Sequence, residues 1–216
     1  MRRVYDPAMP VVTISASYGS GGSEVAPALA ERLGVRFVDR VVSPETAHRL
    51  AQAENAGLFW RLIRSISPAG GLTAGSIHAE RELHDRFSDR DALESALRDV
   101  AAAGDVVILG RAGALALRDH PGALHVRLDG PSEARVFRAM EVQSVDEATA
   151  RERLGETDRA RERFVRDIYG LDPTDPGLYA LVLDGTAFTT AACVEVIVTA
   201  VAAPRRHIAR VVESAI

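Results

Sequence analysis

The residues able to do chemistry in this 216-residue chain are concentrated in one glycine-rich loop and in its arginines. An apolar run, Val11-Val12-Thr13-Ile14, stops in Ser17-Tyr18-Gly19-Ser20-Gly21-Gly22, and a helical pattern follows from about Ser23. A strand, a glycine loop and a helix in that order can bind phosphate. Backbone N–H groups turn inward, and the helix N-terminus adds partial positive charge. Aligned on G-x-x-x-x-G-K-[ST], Ala16 stands at the first glycine, Gly21 at the second, Gly22 at the lysine and Ser23 at the hydroxyl, so two of four fixed positions match. Two other readings compete. A glycine-rich turn can feed a helix with no ligand at all. The dinucleotide pattern G-x-G-x-x-G fits Gly19 and Gly21, with Asp39 at a suitable strand end, but Glu24 occupies the third glycine and would crowd a pyrophosphate.

The chain contains no lysine, so all 26 residues of the lysine-plus-arginine count are arginine. Genomic base composition is sufficient cause, since alanine is abundant too, but the consequence is chemical: any fixed cation in a site here is a guanidinium. Arg111 follows the strongest strand pattern, Asp105 to Leu109, by way of Gly110. It sits where open α/β sheets bind ligands. A second concentration, Arg151, Glu152, Arg159, Arg161, Glu162 and Arg163, reads either as a wall of cations or as a solvated helix face. The six histidines have no metal-ligand spacing, so no protein-built metal site is expected. Cys193 falls on the apolar side of a helical pattern and reads as packing. Neither Ser15 nor Ser76 has a nucleophile elbow or triad partners.

The elements that must position these residues alternate short apolar runs with helical patterns, which predicts a parallel sheet covered on both faces. Strands are expected at Val11 to Ile14, Val35 to Val38, Asp105 to Leu109, Leu124 to Leu128 and Leu181 to Leu183. Helices are expected from about Ser23 to Leu33, with Pro27 delaying or kinking the start, and from Asp91 to Ala103 behind a Ser88/Asp91 capping box. A long arginine-rich helical region runs from about Ser132 to Tyr169, interrupted at Gly155, and a last helix from about Thr190 to Ala202. Residues 44 to 86 read as irregularly helical, broken at Pro68-Ala69-Gly70-Gly71, and the tail after Pro204 as helical, packed on the body or on a second copy.

Length, charge and cysteine use bound the function. One domain spans residues 1–216, with no repeat or linker to divide it. A net charge of -4 argues against a general nucleic-acid binder. A single cysteine forms no internal disulfide and fits a reducing, cytoplasmic setting. No apolar run reaches the roughly 18 residues a membrane span needs, and Val11 to Ile14 is too short for a signal peptide.

Taken in order, several segments resemble the cytidylate kinase-like family of P-loop nucleoside monophosphate kinases. They are Thr13-Ile14-Ser15, Tyr18-Gly19-Ser20-Gly21-Gly22-Ser23-Glu24, Leu29 to Gly34, Phe37-Val38-Asp39-Arg40, Gly104 to Arg111, Asp119-His120-Pro121, Leu124-His125-Val126, Glu156 to Arg161 and Asp175 to Tyr179. The resemblance implies a P-loop fold, with a five-stranded parallel sheet flanked by helices. It implies a monophosphate-binding helical region at about 40–90, an arginine-rich lid at about 145–166 and a C-terminal tail at 204–216. Tyr18 through Glu24 would hold ATP, with Mg2+ carried in on the nucleotide; Asp39, Arg40 and Arg111 would hold the acceptor; Arg111, Asp158 and Arg161 would act at the transferred phosphate. The expected partners are small nucleotides, with no nucleic acid and no membrane, and a homodimer is compatible with the tail. The family's kinases of ordinary type carry lysine where this chain has Gly22, and their kinase-like branch tends to carry arginine where it has Ala16 and Ser23. The segment after Asp39, Arg40-Val41-Val42-Ser43, departs from the cytidylate kinase pattern as well. The expected activity is ATP-dependent transfer to a nucleoside monophosphate, CMP or dCMP first. A nucleotide-binding or regulatory protein that keeps the fold without efficient transfer is the rival.

Overall fold

The computed structural model describes residues 10–39, 79–110 and 112–203. Arg40, Arg111, most of the expected monophosphate-binding region and the C-terminal tail lie outside the described residues.

Apolar β-branched runs make five strands: β1 (Val11–Ala16), β2 (Arg36–Val38), β3 (Val106–Leu109), β4 (Ala123–Asp129) and β5 (Leu181–Asp184). They form one parallel sheet in the order β2-β3-β1-β4-β5. Register places Val11 beside Val106 and Ala123, and Ala16 beside Leu128. β2 takes the edge, β3 fills the place between it and β1, and the chain then crosses to the other side of β1 for β4 and β5, so a crevice opens at the C-terminal end of β1, where the glycine loop begins.

Each face of the sheet has its own core. Val12, Ile14, Val107, Leu109, Leu124, Val126 and Leu128 pack against Val25, Ala26 and Leu29 of α1 (Gly22–Leu33) and against Cys193, Val194 and Ile197 of the final helix. On the other face, Val11, Val106 and Ile108 meet Leu97 and Ala101 of α2 (Ala79–Ala102), with Ala116 and Leu117 at the end of α3 (Gly113–Ala116). Alternation along β4 sends Leu124, Val126 and Leu128 into the first core and so turns His125 and Arg127 to the opposite face. There His125 Nδ1 hydrogen-bonds the buried Thr13 hydroxyl at 2.8 Å.

The arginine-rich region is two helices, α4 (Ser132–Gln143) and α5 (Glu147–Tyr169). The break falls at Ser144, whose φ is 52°, and Asp146 caps α5 by accepting from Thr149 N–H at 2.7 Å. The expected interruption at Gly155 does not occur. Likewise α2 starts well before the Ser88/Asp91 box, and α1 runs unbroken through Pro27. At Gly155 and Pro27 the helix thus continues through a local breaker signal. Pro27 still removes one bond, the one its N–H would have made to the Ser23 carbonyl. The chain then passes a 3-10 turn, Pro176–Leu178, before β5, and α6 (Thr190–Ala202) is the last described element. Among the described residues no helix is long and apolar enough to cross a membrane.

Gly155 keeps helical φ, and a Cβ there meets only the tip of the Arg159 side chain, at 3.2 Å. Gly155→Ala is therefore expected to stabilise the fold by about 0.5–1 kcal/mol in urea denaturation. A loss of stability would show that the Arg159 guanidinium cannot give way.

Candidate functional site: a glycine loop clasped by arginines

The loop between β1 and α1 is a close fit on every side. Gly19 (φ 76°) rests on α4, and a Cβ there would stand 2.2 Å from the Arg135 carbonyl oxygen. Gly21 (φ 87°) is the N-cap of α1; its missing Cβ would lie 2.7 Å from Arg138 Nη2. Left-handed φ favours glycine at both positions, and at Gly19 the Arg135 backbone leaves no space for a side chain as well. From the other end of the sheet, Gly185 after β5 comes so close to the loop that its Cβ would be 2.0 Å from the Ser20 carbonyl oxygen. Ser20 is fully buried, and both its N–H and its hydroxyl donate to the Ser17 carbonyl. As N-cap, Gly21 has no side chain to bond the first-turn N–H groups of α1, and Ser23 beside them is exposed. That leaves a helix terminus arranged to receive an anion.

A run of alternating charges holds this loop from behind. Arg127 reaches from β4 to the Ser17 hydroxyl at 3.0 Å and pairs with Asp129 at 2.8 Å. Asp129 lies 3.7 Å from Arg135, and Arg135 donates through Nη1 to Asp158 at 2.5 Å and to the Tyr18 carbonyl at 3.0 Å. Asp158 accepts from Tyr18 N–H at 2.8 Å, and Arg161, 3.8 Å from Asp158, donates to the Ala16 carbonyl at 2.6 Å. Arg127, Arg135, Asp158 and Arg161 thus each bond a loop group or the last residue of β1, and Asp129 also meets the Ser17 hydroxyl. Burial alone pushes the Asp129 carboxyl up, but the hydrogen bond and charge of Arg127, helped by Ser17 and the Gly130 N–H, outweigh it and hold its pKa below the ordinary value.

Arg138 closes the front. Its guanidinium lies over Gly21, pairs with the Glu24 carboxylate, and donates to the Gly185 carbonyl at 3.0 Å. Tyr18 points away from the opening. Its ring is buried among Val136, Ala139 and Ala150 between α4 and α5, and its hydroxyl donates to Gln143 at 2.8 Å.

The expected site residues divide accordingly. Tyr18 through Glu24, Asp158 and Arg161 are brought together. Asp39 follows β2, on the far side of β3 from the loop strand. Arg40 and Arg111 lie outside the described residues. The sequence reading missed Arg127, Asp129, Arg135 and Arg138. The spacing of Arg135 and Arg138, three apart on one helix face, was the available signal, and it is indistinguishable in sequence from a solvated face.

Arg135 is 8% exposed, and its removal would take from Asp158 its hydrogen-bonded cation, leaving only Arg161 at 3.8 Å, and from Asp129 its second cation after Arg127. Arg135→Ala is expected to cost about 3–5 kcal/mol in urea denaturation, a larger loss than an exposed pair such as Arg151–Glu133 gives. The pH dependence follows from the lowered Asp129 pKa. Its stabilisation is complete above the unfolded carboxyl value near 4 and is lost as pH falls through the lower folded value. The stability gap between wild type and Asp129→Asn should therefore be flat at neutral pH and close on acidification. A gap that widened in acid would contradict the pairing.

Comparison with known proteins agrees with this architecture. The family model described as cytidylate kinase-like matches residues 11–187. A cytidylate kinase of Methanopyrus kandleri is 28% identical over 183 residues, 81% of this chain and 83% of that one. One from Pyrococcus furiosus is 26% identical over 81% of this chain and 79% of its own length. A uronate isomerase of Corynebacterium glutamicum is 31% identical over 144 residues, but the match takes in only 27% of that protein. Among solved structures, a protein from Eubacterium ventriosum superposes with a TM-score of 0.60 at 17% identity, covering 89% of this chain and 98% of that one. A gluconokinase from Sinorhizobium meliloti does so at 0.50 and 20%, covering 93% and 94%. At such identities these structures speak for the fold alone, while the family match spans most of the sequence: the chain belongs to the cytidylate kinase-like family.

Proposed function

We propose that this protein transfers a phosphoryl group from ATP to a nucleoside monophosphate, with CMP or dCMP as the first acceptors to test. The family and the fold support nucleotide phosphotransfer in general. The observation that carries the reading is the loop itself: two left-handed glycines and an uncapped helix N-terminus, surrounded by the guanidinium groups of Arg127, Arg135, Arg138 and Arg161. Phosphoryl transfer asks the protein for positioning and positive charge rather than covalent chemistry, and this loop is built to supply both.

In this reading the N–H groups of Gly21, Gly22 and Ser23 bind phosphate oxygens. Asp158 acts on the reaction by holding Tyr18 N–H, and so the loop backbone, in place. Arg161 and Arg138 face the bound charge, and Arg111 holds the acceptor phosphate. Among the described residues no group of three or more His, Cys, Asp or Glu side chains gathers to hold a metal. The exposed Ser23 hydroxyl at the start of α1 suits a Mg2+ that arrives on the nucleotide, and that ion, when bound, supplies further charge neutralisation.

A second reading, a nucleotide-binding protein with little or no transfer, is favoured by one observation. The cations nearest the loop are already paired with Glu24, Asp129 and Asp158, and no lysine is present to add charge. ADP formation from Mg-ATP, measured against CMP, dCMP, UMP, AMP and GMP, separates the two. Transfer to one pyrimidine monophosphate is expected, falling on the order of 100-fold in Asp158→Asn with its folding confirmed by melting. Folded protein that binds ATP and transfers to none of the five supports the second reading.

A further inference from the structure

Gly22 stands where this kind of loop carries its lysine, and the structure gives a steric reason for the glycine. Its φ is outside the left-handed region, so backbone conformation does not demand glycine there. Space does. A Cβ on residue 22 would sit 2.4 Å from the Ala16 Cβ, well inside any real contact. Ala16 cannot retreat, because it is in β1 and paired in register with Leu128. The next neighbour, Leu109 Cδ1 at 3.5 Å, leaves ordinary room, so one methyl group excludes every side chain from position 22.

The same residue is where an outside cation arrives. Arg161 crosses from α5 and donates through Nη1 to the Ala16 carbonyl at 2.6 Å; its side chain remains 28% exposed, with Asp158 at 3.8 Å. A guanidinium carries five N–H donors in a planar fork, so it can hold a backbone carbonyl and a phosphate oxygen together.

We infer that Ala16, Gly22 and Arg161 form one unit, in which the cation of the loop has moved from position 22 to α5. Arg161 takes the part of the loop lysine toward the nucleotide phosphates, and Ala16 fills the space that lysine would need. This assignment rests on the phosphate-binding half of the proposed function. It also ties charge delivery to α5: whatever moves that helix relative to β1 moves the cation, which a lysine on the loop would not allow.

The test combines melting with calorimetric titration of Mg-ATP, ADP and adenosine. Gly22→Lys is expected to melt below wild type, and Ala16→Gly combined with Gly22→Lys to recover most of the loss. Arg161→Gln should lower affinity for ATP and ADP on the order of 100-fold while changing that for adenosine little. Adding the Ala16→Gly/Gly22→Lys pair to Arg161→Gln should return roughly a tenth or more of the lost affinity. Gly22→Lys melting with wild type would overturn the steric assignment. Equal losses for ADP and adenosine would reduce Arg161 to a brace for the loop. No recovery in the triple variant, when the pair alone still binds, would overturn the exchange of positions. Failure of the wild type to bind any of the three overturns the proposed function and the Arg161 assignment together, while the melting series still decides the Ala16–Gly22 clash.

Discussion

The buried guanidinium of Arg135 is the point on which the site depends. It is held on three sides, by the Gly130 carbonyl at 2.9 Å, the Tyr18 carbonyl at 3.0 Å and Asp158 at 2.5 Å, with Asp129 nearby. A cation this far from water is tolerable only with such partners, because desolvating it is expensive and each bond offsets part of that cost. Those partners come from β1's loop, the end of β4 and the middle of α5. One side chain therefore fixes how three segments, far apart in sequence, meet. Its neighbours Arg127 and Arg161 extend the same arrangement to Ser17 and Ala16, so the backbone of the loop is positioned by bonds from behind before any ligand approaches its front.

This positioning has a steric counterpart. Gly19 meets a helix backbone, Gly22 a methyl group and Gly185 a loop carbonyl, each at a distance no Cβ could occupy. Backbone and methyl neighbours have nowhere to yield, unlike the tip of a long side chain. The loop is thus set by contact as well as by hydrogen bonds, which is the condition for oriented N–H groups to favour an anion without first being ordered by it. α5, which covers the segment at about 145–166 that the resemblance offers as a lid, is, over its middle, part of this clasp, together with α4. Tyr18 inserts its ring between the two helices, so the loop and the pair share a small core.

Much of the fold was legible residue by residue. The strand at Val106–Leu109 reads from a pure apolar run, α1 from the spacing of Ala26, Leu29, Ala30 and Leu33, and the stop at Gly34 from glycine's left-handed preference, φ 67° here. The breaker signals at Gly155 and Pro27 misled, because a local preference of about 1 to 3 kcal/mol yields to the packing of a long helix. Within the site, the glycines and the Asp158–Arg161 pair were visible as types at fixed offsets. Arg127, Asp129 and Arg135 were not. Arg127 and Asp129 are two apart at the end of one strand, but no periodic or spacing signal says that they will meet Arg135 on the next helix, or that Asp158 a further 23 residues on will join them.

By itself, then, the sequence determined the element types, the parallel sheet, a glycine-rich loop between the first strand and helix, and the absence of lysine, since each of these follows from local composition and short-range spacing. Tertiary structure alone decided that no side chain fits at position 22 and that Arg161 reaches Ala16. The separation between Ala16 Cβ and position 22, and the approach of Arg161 to the Ala16 carbonyl, exist only once β1 is locked beside β4 and α5 is laid across the loop. Distances between residues remote in the chain are set by packing, and packing is a property of the whole fold.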